Sequence, residues 1–210
     1  MVESLTLTTS DDVSLEAEIE VPEGAGVGVV LCHPHPQYGG SMRSIVIGAL
    51  FDAFRADGVA CIRFNFRGVE GSGGEYTGGD RERLDATAGF EALRERIGAD
   101  APVVMAGWSF GGDVALAVTG VDHVGWIAVA PPLRFLPDAH AETAADPRPK
   151  AFLLGQHDQF RPPAEVEAQV ATWTGASVEI VGGADHYFIG RTDRLAALAR
   201  DALASLTGAT

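Results

Sequence analysis

The side chains able to do chemistry gather in a few short segments. Gly107-Trp108-Ser109-Phe110-Gly111 has the spacing Gly-x-Ser-x-Gly, with Gly112 directly after it. That spacing suits a nucleophilic serine in a sharp strand-to-helix turn. The glycines let strand and helix approach, and the helix N-terminus favours developing negative charge. In a chain with 26 glycines the pentapeptide could also be a plain tight turn with serine as helix cap. The apolar run before it and the apolar helical pattern after it (Val114, Ala115, Leu116, Val118) favour the nucleophile.

A serine hydroxyl needs a base, and the base needs an acid to fix its tautomer. His186, in Gly183-Ala184-Asp185-His186-Tyr187-Phe188, follows the last strand-like run and precedes the last helical one. Asp158, in Gly155-Gln156-His157-Asp158, follows another such run and is the expected acid. Asp185 is the rival, but adjacent side chains rarely meet. His157 reads as structural or pocket-lining, and His123 and His140 as solvated surface histidines. An oxyanion needs N–H donors. Phe110 supplies one as the residue after the nucleophile. The other is expected from the loop His33-Pro34-His35-Pro36, where prolines have no N–H. His35, farther into the loop than His33, is the expected donor.

His33 and His35 also begin the metal-binding pattern H-x-H-x-D-H. Gln37 and Tyr38 stand where its Asp and second-half His belong, so neither metal nor cofactor is expected. The Gly-rich stretch Arg67-Gly68-Val69-Glu70-Gly71-Ser72-Gly73-Gly74 does not fit G-x-x-x-x-G-K-[ST] and reads as a turn-rich loop bordering the pocket. Cys32 and Cys61 sit inside apolar runs and read as buried free thiols.

These residues require a particular scaffold. Period-two alternation at Leu5 and Leu7, then Val13, Leu15, Ala17, Ile19 and Val21, predicts an antiparallel hairpin with one wet face. Short, nearly continuous apolar runs follow at 27–32, 59–64, 103–106, 126–130, 151–154 and 178–181. Strands buried on both faces look like this, which predicts a parallel sheet covered by helices. Helical faces fall between them: Val46, Leu50, Ala53 and Phe54; Ala86, Phe90, Leu93 and Ile97; Leu195, Leu198, Ala202 and Leu206. The class is α/β, in one domain over 1–210. The Pro-rich interval 131–149 reads as one long irregular connection. In such sheets ligands bind beyond the carboxyl ends of the strands. Ser109, Asp158 and His186 all follow strand-like runs.

Composition narrows the partners. A net charge of −14 argues against nucleic acid, whose phosphates need a basic surface. No run is long enough to cross a bilayer. Met1-Val2-Glu3-Ser4 has neither a basic nor an apolar leader character, so a cytoplasmic location is expected. A small-molecule acyl substrate is the expected partner.

The motifs together carry a resemblance. Cys32-His33-Pro34-His35-Pro36, Gly39-Gly40-Ser41-Met42, Arg63-Phe64-Asn65-Phe66-Arg67-Gly68, Gly107 to Gly112, Ala130-Pro131-Pro132 and the segment around His186 resemble the small lidless α/β-hydrolases described as dienelactone-hydrolase-like predicted hydrolases. The order Ser109, Asp158, His186 is the chain order of α/β-hydrolases. The resemblance implies the α/β-hydrolase fold: a mostly parallel central sheet with an N-terminal antiparallel hairpin, helices on both faces and no lid domain. It implies the same triad. Glu70 departs from it, standing where the group tends to carry glycine. True dienelactone hydrolases carry a cysteine nucleophile, so Ser109 makes the likeness one of fold more than substrate. The expected reaction is cleavage of a small ester or thioester through an acyl-serine intermediate. The alternatives are a peptidase or amidase using the same triad, and a non-catalytic interaction domain retaining the fold.

Overall fold

The computed structural model describes residues 1–208. The chain begins with a hairpin of β1 (Glu3–Thr8) and β2 (Ser14–Glu20), paired antiparallel with Leu7 opposite Leu15. β3 (Gly28–Cys32), α1 (Ile45–Ala56), β4 (Ala60–Phe64), α2 (Glu82–Ile97), β5 (Val103–Trp108) and α3 (Phe110–Leu116) follow. β6 (Gly125–Val129), α4 (Pro137–Ala145), β7 (Lys150–Gly155), α5 (Pro163–Val170), β8 (Ala176–Val181) and α6 (Thr192–Thr207) complete the alternation. The eight strands form one sheet in the order β1-β2-β4-β3-β5-β6-β7-β8, antiparallel at β1–β2–β4 and parallel from β4 onward.

Alternation along each strand divides the core into two layers. Val30, Cys32, Met105 and Phe152 face α2, α3 and α5. Val29, Leu31, Val104, Ala106 and Leu153 face α1 and α6 on the other side. β3, β5, β6 and β7 are buried along their whole lengths, as strands covered on both faces must be. Cys32 and Cys61 belong to opposite layers and remain free, buried thiols.

Three expectations need correction. The interval 131–149 contains α4, opened by Pro137 at its first turn, where a missing N–H costs nothing. This helix docks on α3: His140 Nε2 donates to Asp113 O at 2.9 Å, and Thr143 Oγ1 donates to Leu116 O. It packs against α3, and none of its residues lines the cavity described below. Second, β8 is the sheet edge, so Ile180 is 37% exposed where burial on both faces was expected. Third, His123 and His140 are buried, at 1% and 2% exposure, and are not solvated. His123 Nε2 donates to Val118 O at 2.9 Å. Both histidines donate to carbonyls in and just beyond α3, and the Asp113 carbonyl also accepts from Ala117 N at 3.2 Å.

The chain builds from β3 to β4 in one direction and then crosses to β5 on the other side of β3. That reversal opens a crevice beyond the carboxyl ends of β3 and β5, where open α/β sheets bind ligands. His33 follows β3 and Ser109 follows β5.

Candidate active site

Ser109 is held in a backbone conformation that L-residues rarely adopt, with φ 55° and ψ −122°. Its N–H donates to Val129 O at 2.8 Å, and its carbonyl accepts from Gly112 N at 2.8 Å. The turn is tight enough to exclude side chains on either side. A Cβ on Gly107 would lie 2.1 Å from Gly111 O, and one on Gly111 would lie 2.2 Å from Cys32 O. The glycine spacing is therefore a packing requirement of β5, α3 and the end of β3.

The structure brings Ser109, His186 and Asp158 together across 77 and 28 positions of sequence separation. His186 Nε2 lies 3.0 Å from Ser109 Oγ, and His186 Nδ1 lies 2.7 Å from Asp158 Oδ2. The carboxylate marks Nδ1 as the protonated nitrogen, which leaves Nε2 to accept the serine proton. Asp158 Oδ1 accepts from the N–H groups of Phe160 (2.8 Å) and Arg161 (3.0 Å), so both its oxygens are held. The His186 loop is fixed separately: its carbonyl accepts from Trp108 Nε1 at 3.1 Å and its N–H donates to Gln159 Oε1 at 3.3 Å. Asp158 and His186 are 7% and 6% exposed, so the pair is shielded from competing water. Asp185, the rival acid, caps Tyr187 N instead. His157 is exposed and lies outside the cavity wall, which corrects its expected structural or pocket-lining role.

Ser109 opens onto a cavity of about 420 Å³, an ordinary size for a small-molecule site. Trp108, Phe135, Phe160 and Tyr187 supply much of its wall, with His35 and Pro34 on the side of β3. Tyr38, Ile45, Phe160 and Tyr187 stand exposed around its mouth. The Gly-rich loop 67–74 does not reach this cavity, contrary to expectation. It is anchored instead by buried Arg67, which grips Asp85 (2.7 Å) and Asp11 (2.9 Å). Glu70 within it has φ 47°, the conformation that glycine takes without strain.

The His33–His35 segment is pinned on all sides. His33 Nε2 accepts from Phe66 N at 3.0 Å, so its Nδ1 carries the proton and donates to Pro34 O at 2.6 Å. His35 Nδ1 accepts from Gln37 N at 3.2 Å, so its Nε2 donates to Tyr76 Oη at 3.0 Å. Burial, aided by Arg134 for His35, holds both imidazoles below the ordinary histidine value, His33 at about 3. All four ring nitrogens thus have protein partners. Among the described residues, the backbone N–H groups of His35 and Phe110 donate to no protein acceptor. His35 lines the cavity with Ser109, and Phe110 directly follows the serine in the chain.

Sequence reasoning missed the cavity's aromatic walls and the residue that sets one of them. Asp113, fully buried in α3, accepts from the N–H groups of Leu133 (2.8 Å), Arg134 (2.9 Å) and Phe135 (3.1 Å). An acid directly after Gly111-Gly112, in an otherwise apolar helix, was the available signal.

The comparisons agree with this fold. The family described as alpha/beta hydrolase domain matches residues 27–204. An alpha-beta serine hydrolase homologue from Coxiella burnetii is 30% identical, with a TM-score of 0.84 over 93% of this chain and 94% of that one. An α/β serine hydrolase without lid from Xanthomonas campestris is 25% identical, with a TM-score of 0.87 over 100% of this chain and 96% of that one. An uncharacterized protein of Rickettsia prowazekii (strain Madrid E) is 28% identical over 87% of this chain and 80% of its own length.

Proposed function

The chain belongs to the alpha/beta hydrolase family, and from that premise we propose that it cleaves small esters or thioesters through an acyl-serine intermediate. The observation that carries this reading is the unbroken hydrogen-bonded line from Ser109 through His186 to Asp158 at the floor of a cavity.

In the proposed reaction Ser109 Oγ attacks the substrate carbonyl carbon while its proton passes to His186 Nε2. Asp158 holds the imidazole ring and stabilises the imidazolium. The carbonyl oxygen becomes an oxyanion facing the N–H groups of His35 and Phe110. Collapse of this intermediate breaks the bond to the alcohol or thiol, which leaves with the proton from His186. Water then repeats the sequence on the acyl-serine, its proton going to His186, and releases the acid. No residue in this scheme needs a metal or cofactor.

A fluorophosphonate probe tests the reading. Prompt labelling mapped to Ser109, together with hydrolysis of p-nitrophenyl butyrate, is expected. A folded protein that neither labels nor hydrolyses the ester would favour a binding domain that has kept the fold.

A further inference from the structure

Nothing in the proposed reaction uses the side chain of His33, yet it is fully buried and both its nitrogens bond to backbone. One of those bonds reaches the peptide that supplies the His35 N–H. No cis peptide bond occurs among the described residues, so Pro34 C=O and His35 N–H point in opposite directions from one rigid plane. Whatever holds the carbonyl therefore aims the N–H.

We propose that His33 is a positioning residue: its Nδ1–H grips Pro34 O and thereby turns the His35 N–H toward the oxyanion. The inference rests on the serine-hydrolase reading.

Three observations converge on that peptide. The Nδ1 to Pro34 O distance is 2.6 Å, short for a bond of this type. The His33 ring cannot rotate away, because Nε2 is held by Phe66 N at 3.0 Å and the ring packs edge-on against Phe66 at 4.6 Å between centroids. Gly40 also closes on the same carbonyl: a Cβ there would lie 2.1 Å from Pro34 O. His35 itself is fixed by its carbonyl, which accepts from Tyr38 N and Gly40 N at 3.1 Å, and by both ring nitrogens. The N–H is the part of this residue left over for a ligand. Its low pKa keeps His33 neutral, with one donor and one acceptor, across the working range.

The two roles of the ring can be separated by substitution. An asparagine amide sits near the place of Nδ1, a glutamine amide near that of Nε2. His33→Gln keeps an acceptor for Phe66 N and loses the grip on Pro34 O. His33→Asn keeps the grip and orphans Phe66 N. Removing an oxyanion donor outright costs about 10²–10³ in kcat, so misaiming one is expected to cost about 10–100-fold.

The experiment measures kcat, KM and thermal midpoint for both variants with p-nitrophenyl butyrate. For His33→Gln the expected result is a 10–100-fold fall in kcat, KM within a few-fold of the parent, and a nearly unchanged midpoint. His33→Asn is expected to melt lower but retain most of kcat. Equal kcat losses in both folded variants, or no loss in His33→Gln, would overturn the proposal. If His33→Gln does not fold, Gly40→Ala displaces the same peptide with His33 intact. The same kcat-specific loss there supports the proposal, and a parent-like kcat overturns it. An inactive parent protein that escapes fluorophosphonate would instead count against the serine-hydrolase reading.

Discussion

Ser109 shows how function is written into a single backbone conformation. Its φ of 55° puts the hydroxyl at the apex of the turn, at a strain cost of about 1–3 kcal/mol. Glycine removes that strain and gives back only part of the gain, about 0.5–1 kcal/mol, in chain entropy. Ser109→Gly should therefore be more stable than Ser109→Ala by about 1 kcal/mol, read as a melting temperature higher by about 2–4 °C for a chain of this size. Equal melting temperatures would show that the turn is not strained. At this scale the sequence was most legible where chemistry restricts residue type. Ser109, His186 and Asp158 could be nominated from types and strand-end positions alone, and they meet in space. His123 and His140 were misread because their role depends on carbonyls of α3 and the turn after it that only the folded chain brings near them, and no local pattern records that.

Among the elements, the junctions matter more than the strands. The motif at 63–68 supports the loop after β3: Phe66 N bonds to His33, and Asn65 Oδ1 accepts from Met42 N at 2.8 Å. Both motifs were recognisable in the sequence, but not their mutual contact, because β4 and β3 had first to be paired. α4 and α5 escaped notice because they are short and carry only two buried residues each. Asp113 ties α3 to the loop bearing Arg134 and Phe135, a wall of the cavity. Asp113→Ala leaves three N–H groups without their acceptor, at about 1 kcal/mol or more each, so a loss of about 3 kcal/mol is expected. The wall should loosen before the triad does. KM for p-nitrophenyl butyrate is expected to rise about tenfold while kcat falls less than threefold. The opposite split would show that Asp113 acts on the nucleophile helix and not on the cavity wall.

For the molecule as a whole, the open site and the buried histidines make separate demands. Among the described residues no inserted domain roofs the cavity, and α4 lies against α3. Each CH₂ that is covered gains about 0.8 kcal/mol, a gain that chain atoms beyond the cavity mouth forgo. With p-nitrophenyl esters, kcat/KM should peak between acetate and butyrate, and rates still climbing at decanoate would contradict an open, shallow site. Acid stability follows from burial. His123 is pushed down to about 4, first by burial and then by Arg148. The unfolded chain titrates near the ordinary histidine value of ~6.5. Above that pH the residue is neutral in both states and has no effect. Between ~6.5 and 4 the unfolded state binds the extra proton, so stability falls with acid by about 1.4 kcal/mol per pH unit. His123→Gln keeps a donor for Val118 O and cannot titrate. Its unfolding free energy, measured with urea, should fall less steeply with acid over this window by that amount, and a parallel pH dependence would mean that His123 is not held neutral.

The most direct test of the account is the acyl-enzyme itself. Acid quench of the parent protein during turnover of p-nitrophenyl butyrate, followed by mass spectrometry of its peptides, should find one butyryl group on Ser109. His186→Gln should not accumulate it, and Ser109→Ala should neither carry it nor turn over the ester. Steady turnover with the acyl group on another residue, or undiminished turnover by Ser109→Ala, would contradict a mechanism through Ser109.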